Sequence, residues 1–135
     1  MITLYTHIRN TSCRKALQWL ATHQLNVTIR NTMRVRLTKN ELRHILSLTE
    51  NGTDDILRQG ERTKGLNFES MTVEKLLDTL IEQPHLLKNP LMVKGNTLLC
   101  GYSEEELRAF LPRKYREITN LVLRKKGYED LMNER

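Results

Sequence analysis

The first thirty residues constrain the fold more than any other stretch. Ile2–Thr6 alternates apolar and polar side chains, the period of a half-buried strand. Asn26–Arg30, built around Val27 and Ile29, reads the same way. Between them, Thr11 and Ser12 are candidate N-caps, and Ala16, Leu17, Leu20 and Ala21 fall on one helical face. Two strands separated by a helix are expected to pair in parallel, because a parallel pair needs a crossover connection. The chain therefore opens as β-α-β.

Farther on, Thr38-Lys39-Asn40-Glu41 is a capping-box pattern ahead of Leu42, Ile45, Leu46 and Leu48. That helix is expected to stop near Asn51-Gly52, with Thr53-Asp54-Asp55 capping a short one after it. Gln59–Asn67, with two glycines and three charges, reads as a loop. Thr72–Gln83 is amphipathic, with Val73, Leu76, Leu77, Leu80 and Ile81 on one face. Asn89-Pro90 leads into the apolar run Leu91–Val93, Lys94-Gly95-Asn96 turns the chain, and Thr97–Cys100 returns. Ser103 caps Glu104–Leu111, and Pro112 opens a last, basic helix interrupted at Gly127. The order predicts a single α/β domain with a thioredoxin-like mixed sheet. Its core is expected at about residues 1–37 and 84–111, with an inserted helical lobe and C-terminal helices at about 38–83 and 112–135.

The chemistry starts at Cys13, in the first turn of a helix and followed by Arg14 and Lys15. A helix N-terminus and nearby cations stabilise a thiolate. A redox dithiol needs Cys-x-x-Cys, however, and Asn10 stands where the first thiol would be. Two readings of Cys13 stay open: a structural residue, or a single-thiol sensor capped by a small thiol or another protein. Cys100, the second of two cysteines, lies in an apolar strand and reads as inert core. The four histidines share no metal-ligand spacing, and no phosphate-binding glycine pattern or Ser-His-acid order is present, so neither metal nor cofactor is expected. No apolar run approaches the roughly 20 residues of a membrane span, and the start lacks the order of a signal peptide, so a cytoplasmic protein without membrane contact is expected.

Charge is unevenly spread. Residues 1–43 carry eight Lys/Arg against the single acid Glu41, residues 44–111 carry seven against eleven acids, and residues 112–135 carry seven against four. Basic ends suggest nucleic acid or an acidic protein surface as partner. Arg113, Lys114 and Arg116, with Arg124-Lys125-Lys126, give a basic helical face that reads either as solvated surface or as a phosphate contact. Asn51-Gly52-Thr53 reads either as a pair of helix caps or as a place where glycine lets another backbone approach.

Several stretches carry a family likeness. Leu4-Tyr5-Thr6 with Thr11-Ser12-Cys13-Arg14-Lys15-Ala16 and Trp19-Leu20, then Leu48–Ile56, Glu69-Ser70-Met71, Gly101–Arg108 and Phe110–Lys114 resemble the Spx group of the arsenate-reductase-like (ArsC) family. The resemblance implies a non-enzymatic transcription regulator that binds the C-terminal domain of the RNA polymerase alpha subunit and acts at stress promoters. It implies that the contact glycine is Gly52, that promoter DNA is met through the polymerase complex, with Arg58, Arg62, Arg113 and Lys114 as added phosphate contacts, and that the ClpXP protease controls the level of the protein. The family reductases place their nucleophilic cysteine at the position of Asn10, and an amide cannot serve as that nucleophile. Of the arginines that hold their oxyanion, one position is kept as Arg58, and the others fall on Asn89 and Gly101. The alternatives are an ArsC-like thiol oxidoreductase using Cys13 alone and a free-standing nucleic-acid-binding module.

Overall fold

β1 (Ile2–Thr6) and β2 (Val27–Asn31) run parallel, registered from Ile2 against Val27 to Thr6 against Asn31, and α1 (Thr11–Thr22) is the crossover between them. β3 (Leu91–Lys94) lies antiparallel on the other side of β1, and β4 (Thr97–Cys100) returns beside β3 through the turn at Gly95, giving the order β2-β1-β3-β4. This is the mixed sheet of a thioredoxin-like α/β fold. The computed structural model describes residues 1–58 and 70–112. The expected loop at 59–67 and the basic helix after Pro112 lie outside the described residues, apart from Pro112 itself.

Strand alternation divides the core into two layers. Ile2 and Leu4 of β1, Met92 of β3 and Leu99 of β4 face α1, where Cys13, Ala16, Trp19 and Leu20 are buried with Leu107, Phe110 and Leu111. Leu91 and Val93 face the opposite layer, with Leu98 and Cys100 packed against it. There they meet α2 (Lys39–Ser47), α3 (Thr53–Ile56) and α4 (Val73–Glu82) through Leu42, Ile45, Ile56, Leu77 and Leu80, each with no exposed surface. Full burial of an aliphatic side chain is worth about 1.5–3 kcal/mol, so these positions dominate stability. α2 carries the full capping box, with Thr38 accepting from the Glu41 N–H and Glu41 accepting from the Thr38 N–H. Thr72 caps α4 by accepting the Lys75 N–H, and Ser103 caps α5 (Glu104–Leu107) by accepting the Glu106 N–H.

Several local expectations are corrected. Asn10, not Thr11 or Ser12, is the N-cap of α1. Ala21 is exposed and Trp19 takes its place on the inner face, because the buried stripe runs through Cys13, Ala16, Trp19 and Leu20, and Ala21 lies a further step round the helix from it. β2 is displaced by one residue to Val27–Asn31. α2 ends at Ser47, well before Asn51-Gly52, because the Ser47 and Thr49 hydroxyls bond back to the carbonyls of His44 and Leu46 and close the last turn. Gly52 itself, with φ 67°, caps the start of α3. Val73, the first residue of α4, is 65% exposed, since it precedes the part of the helix that reaches the core. α5 stops at Leu107, and a 3-10 turn at Arg108–Phe110 completes the segment expected to be one helix.

Candidate functional site

The carboxyl end of β1 is held by amides. The Asn10 side chain accepts the Cys13 N–H at 2.8 Å, and the Asn10 carbonyl accepts the Arg14 N–H at 3.0 Å, so one residue starts α1 with both of its oxygens. The Asn89 side chain reaches across from the start of β3. Its oxygen accepts the His7 N–H at 3.2 Å and its Nδ2 donates to the Ile8 carbonyl at 2.6 Å. That carbonyl also receives the Asn10 N–H at 3.0 Å. Two neutral side chains thus bond the His7 N–H, the Ile8 carbonyl and the Cys13 N–H from within, and the first turn of α1 has one fewer free N–H to offer an outside anion.

The Asn89-Pro90 peptide bond is cis, and the Gly101 N–H donates to the Pro90 carbonyl at 2.7 Å. Arg58 approaches through its backbone: its N–H donates to the Leu86 carbonyl at 2.7 Å, and the Lys88 N–H returns to Ile56 at 2.8 Å. The Arg58 side chain is exposed. Asn10, Asn89 and Gly101 are therefore gathered at one end of the sheet, with the Arg58 backbone joined to the Leu86–Lys88 segment that precedes β3. Arg62, Arg113 and Lys114 lie outside the described residues.

Cys13 has no exposed surface and belongs to the layer under α1. Cys100 is partly exposed on the opposite face. Burial pushes its thiol up to about 11, with Lys88 working against the shift and Asp55 and Glu106 adding to it. It borders a groove of about 480 Å³ that also takes in Glu50, Asp55, Lys88 and Glu106. Both thiols are free, and the sheet stands between them.

Gly52 is exposed at the apex of the turn between α2 and α3, with nothing within 4 Å of where a side chain would begin. Asp55 builds that turn. Its carboxylate accepts the N–H groups of Glu50 and Asn51 at 2.9 and 3.0 Å, and the Asn51 side chain at 3.3 Å. The Asn51 N–H chiefly holds the Asp55 carboxyl below its usual range. Neither the Asp55 anchor nor the Asn89 bridge was legible in sequence, because each joins backbone that only the fold brings together. Among the described residues, no three His, Cys, Asp or Glu side chains gather as metal ligands, and no helix is long and apolar enough to cross a membrane.

Comparison with known proteins adds three findings. Residues 5–110 match the ArsC family. The chain is 44% identical over 122 residues to the "Global transcriptional regulator Spx" of Streptococcus pneumoniae R6, covering 87% of this chain and 90% of that one. It is 40% identical over 119 residues to the protein of the same name from Bacillus subtilis, covering 86% and 91%. Among solved structures, an ArsC family related protein from Bacteroides fragilis superposes with a TM-score of 0.67 at 24% identity, over 82% of this chain and 98% of that one.

Proposed function

The chain belongs to the ArsC family, and we propose that it is a transcription regulator of the Spx type that works without catalysis and without a local dithiol switch. The observation that carries the reading is its likeness, along most of its length, to curated proteins named as global transcriptional regulators. The geometry at Asn10 supports the rest. At the family's nucleophile position stands an amide whose oxygen is engaged in capping α1. An amide has no thiolate to attack an oxyanion or a disulfide, and the remaining thiol of that turn is enclosed in the core.

Function then rests on surfaces. The C-terminal domain of the RNA polymerase alpha subunit docks at Gly52, whose open surroundings leave room for another backbone. The complex carries the protein to promoter DNA in the cytoplasm, where Arg58, Arg62, Arg113 and Lys114 supply phosphate contacts. Proteolysis by ClpXP sets its level. The chain acts as one domain, with residues 1–37 and 84–111 as scaffold and 38–83 with 112–135 as the contacting lobe.

Titration calorimetry with the isolated alpha domain tests the docking. Any side chain at Gly52 carries backbone strain, because φ 67° with ψ −135° is a glycine conformation. Gly52→Ala adds that strain with little bulk and should bind within about tenfold of the parent, whereas Gly52→Arg adds the bulk and should abolish binding. Unchanged affinity of Gly52→Arg would remove Gly52 from the interface. Equal losses in the two variants would assign the effect to the turn.

A further inference from the structure

Among the described residues, β2 closes one side of the sheet and has no strand beyond it. The Thr32 N–H donates to the Thr6 carbonyl at 2.9 Å. In a parallel pair, alternate residues turn both backbone groups to the neighbouring strand. Thr28 and Arg30 therefore face β1, and Val27 and Ile29 turn their N–H and C=O outward. Exposed edges are usually blunted by lysine, proline or a bulge. β2 is Val-Thr-Ile-Arg-Asn in unbroken register with β1, without proline or bulge; its one charge, Arg30, is paired with Glu41, and Ile29 is 41% exposed.

The turn that continues the edge is built firmly. The Arg30 guanidinium is locked by Glu41 at 2.8 and 3.0 Å, and it donates onward to the carbonyls of Val35 and Arg36 at 3.2 and 2.8 Å. The Asn31 side chain accepts the N–H groups of Met33 and Arg34 at 2.9 and 3.3 Å. So held, the turn presents Met33 at 51% and Val35 at 57% exposure, alternating with Arg34 and Arg36. Ile8 and Arg9 follow the adjoining end of β1, with Ile8 59% exposed. Arg9, Arg34 and Arg36 have no ion-pair partner among the described residues.

We propose that the free edge of β2 and the Met33–Arg36 turn form a docking site for an extended acidic segment of a partner protein, alternating carboxylates with apolar residues, that adds to the sheet as a fifth strand. The outward backbone of Val27 and Ile29 supplies strand hydrogen bonds. Arg34 and Arg36 meet the carboxylates, and Ile29, Met33 and Val35 cover the apolar side chains. A nucleic acid would use the arginines but leave the interleaved aliphatics in water. A second copy of the chain would set one strongly basic segment, residues 1–43, against another. The site stands apart from the Gly52 contact.

The test uses the full chain and a set of blocked nine-residue peptides alternating Asp or Glu with Val, Ile or Tyr, read by amide NMR and fluorescence titration. The acidic peptides should shift and protect the Ile29 N–H. Lysine-for-acid counterparts, and peptides N-methylated on the pairing edge, should not. Arg34→Glu with Arg36→Glu should weaken binding about tenfold or more, and Gly52→Arg should leave it unchanged. Loss of the proposal follows from any of four results: no protection at Ile29, equal binding by the N-methylated peptides, displacement of the peptide by a twenty-base-pair duplex shifting the same amides, or dimerisation through β2 in sedimentation.

Discussion

At the scale of single residues, the site depends on the amides of Asn10 and Asn89. The sequence pointed to Thr11 or Ser12 as the cap of α1, and Asn10 was missed in that role. The fold selects Asn10 because its carbonyl also receives the first helical bond, from Arg14. Removing the cap with Asn10→Ala should lower stability by about 1 kcal/mol, while Asn10→Asp, which still accepts and suits the helix dipole, should preserve it. Chemical denaturation with unchanged slope would measure both. The two thiols should differ sharply toward an alkylating reagent. Cys13, fully buried, should react only on unfolding, and Cys13→Ala should leave promoter activation the same with and without a thiol oxidant. Cys100 should alkylate slowly at neutral pH, because a thiol raised to about 11 is largely protonated there. The thiolate is the reactive form, so its rate should climb about tenfold per pH unit until the pH nears that value. Fast alkylation of Cys100 at pH 7 would contradict its burial.

Among the elements, periodicity located the strands and most helices, because each buries one face, and alternation or 3.6-residue spacing records that directly. Helix ends were less legible. Asn51-Gly52 carries the strongest stop signal in its region, yet hydroxyl-to-carbonyl bonds from Ser47 and Thr49 end α2 first, and glycine is used to enter α3. Thr38→Ala, which deletes one arm of the α2 capping box, should cost about 1 kcal/mol. In contrast, the bridges from Lys39 and Arg43 to Glu74 join exposed side chains of α2 and α4. Glu74→Gln should therefore leave the melting temperature essentially unmoved in moderate salt. Asp55 gives the α2–α3 turn a pH dependence. Its carboxyl is depressed in the folded state, so its stabilisation is fully present above the unfolded value, about 3.9, and is lost as pH falls through the lower folded value. Hydrogen-exchange protection at the Glu50 and Asn51 amides should hold at neutral pH and fall in acid. In Asp55→Asn it should no longer vary with pH over that range.

Across the whole molecule, a basic start, an acidic middle and a basic end sit on a scaffold whose two core layers are separated by one sheet. The parallel β1–β2 pair followed from the β-α-β opening and the β3–β4 pair from the Lys94–Asn96 turn, whereas the antiparallel β1–β3 pairing that joins them did not. The docking surfaces did not, because exposure is set by what other elements cover. Arg113→Ala with Lys114→Ala should weaken the ternary complex on promoter DNA and flatten its salt dependence by roughly one unit for each phosphate no longer neutralised, with binding to the isolated alpha domain unchanged. A parallel fall in both assays would place the pair in the polymerase interface instead. The separation of Cys13 from Cys100 by the sheet also fixes which redox variable the protein can register. An internal disulfide releases two small thiols as it forms, so its occupancy follows oxidised thiol over the square of reduced thiol. A thiol that can bond only to an outside molecule releases one, and follows the simple ratio of the two. Diluting the whole thiol pool at constant ratio would switch the first kind of protein and leave this one where it was.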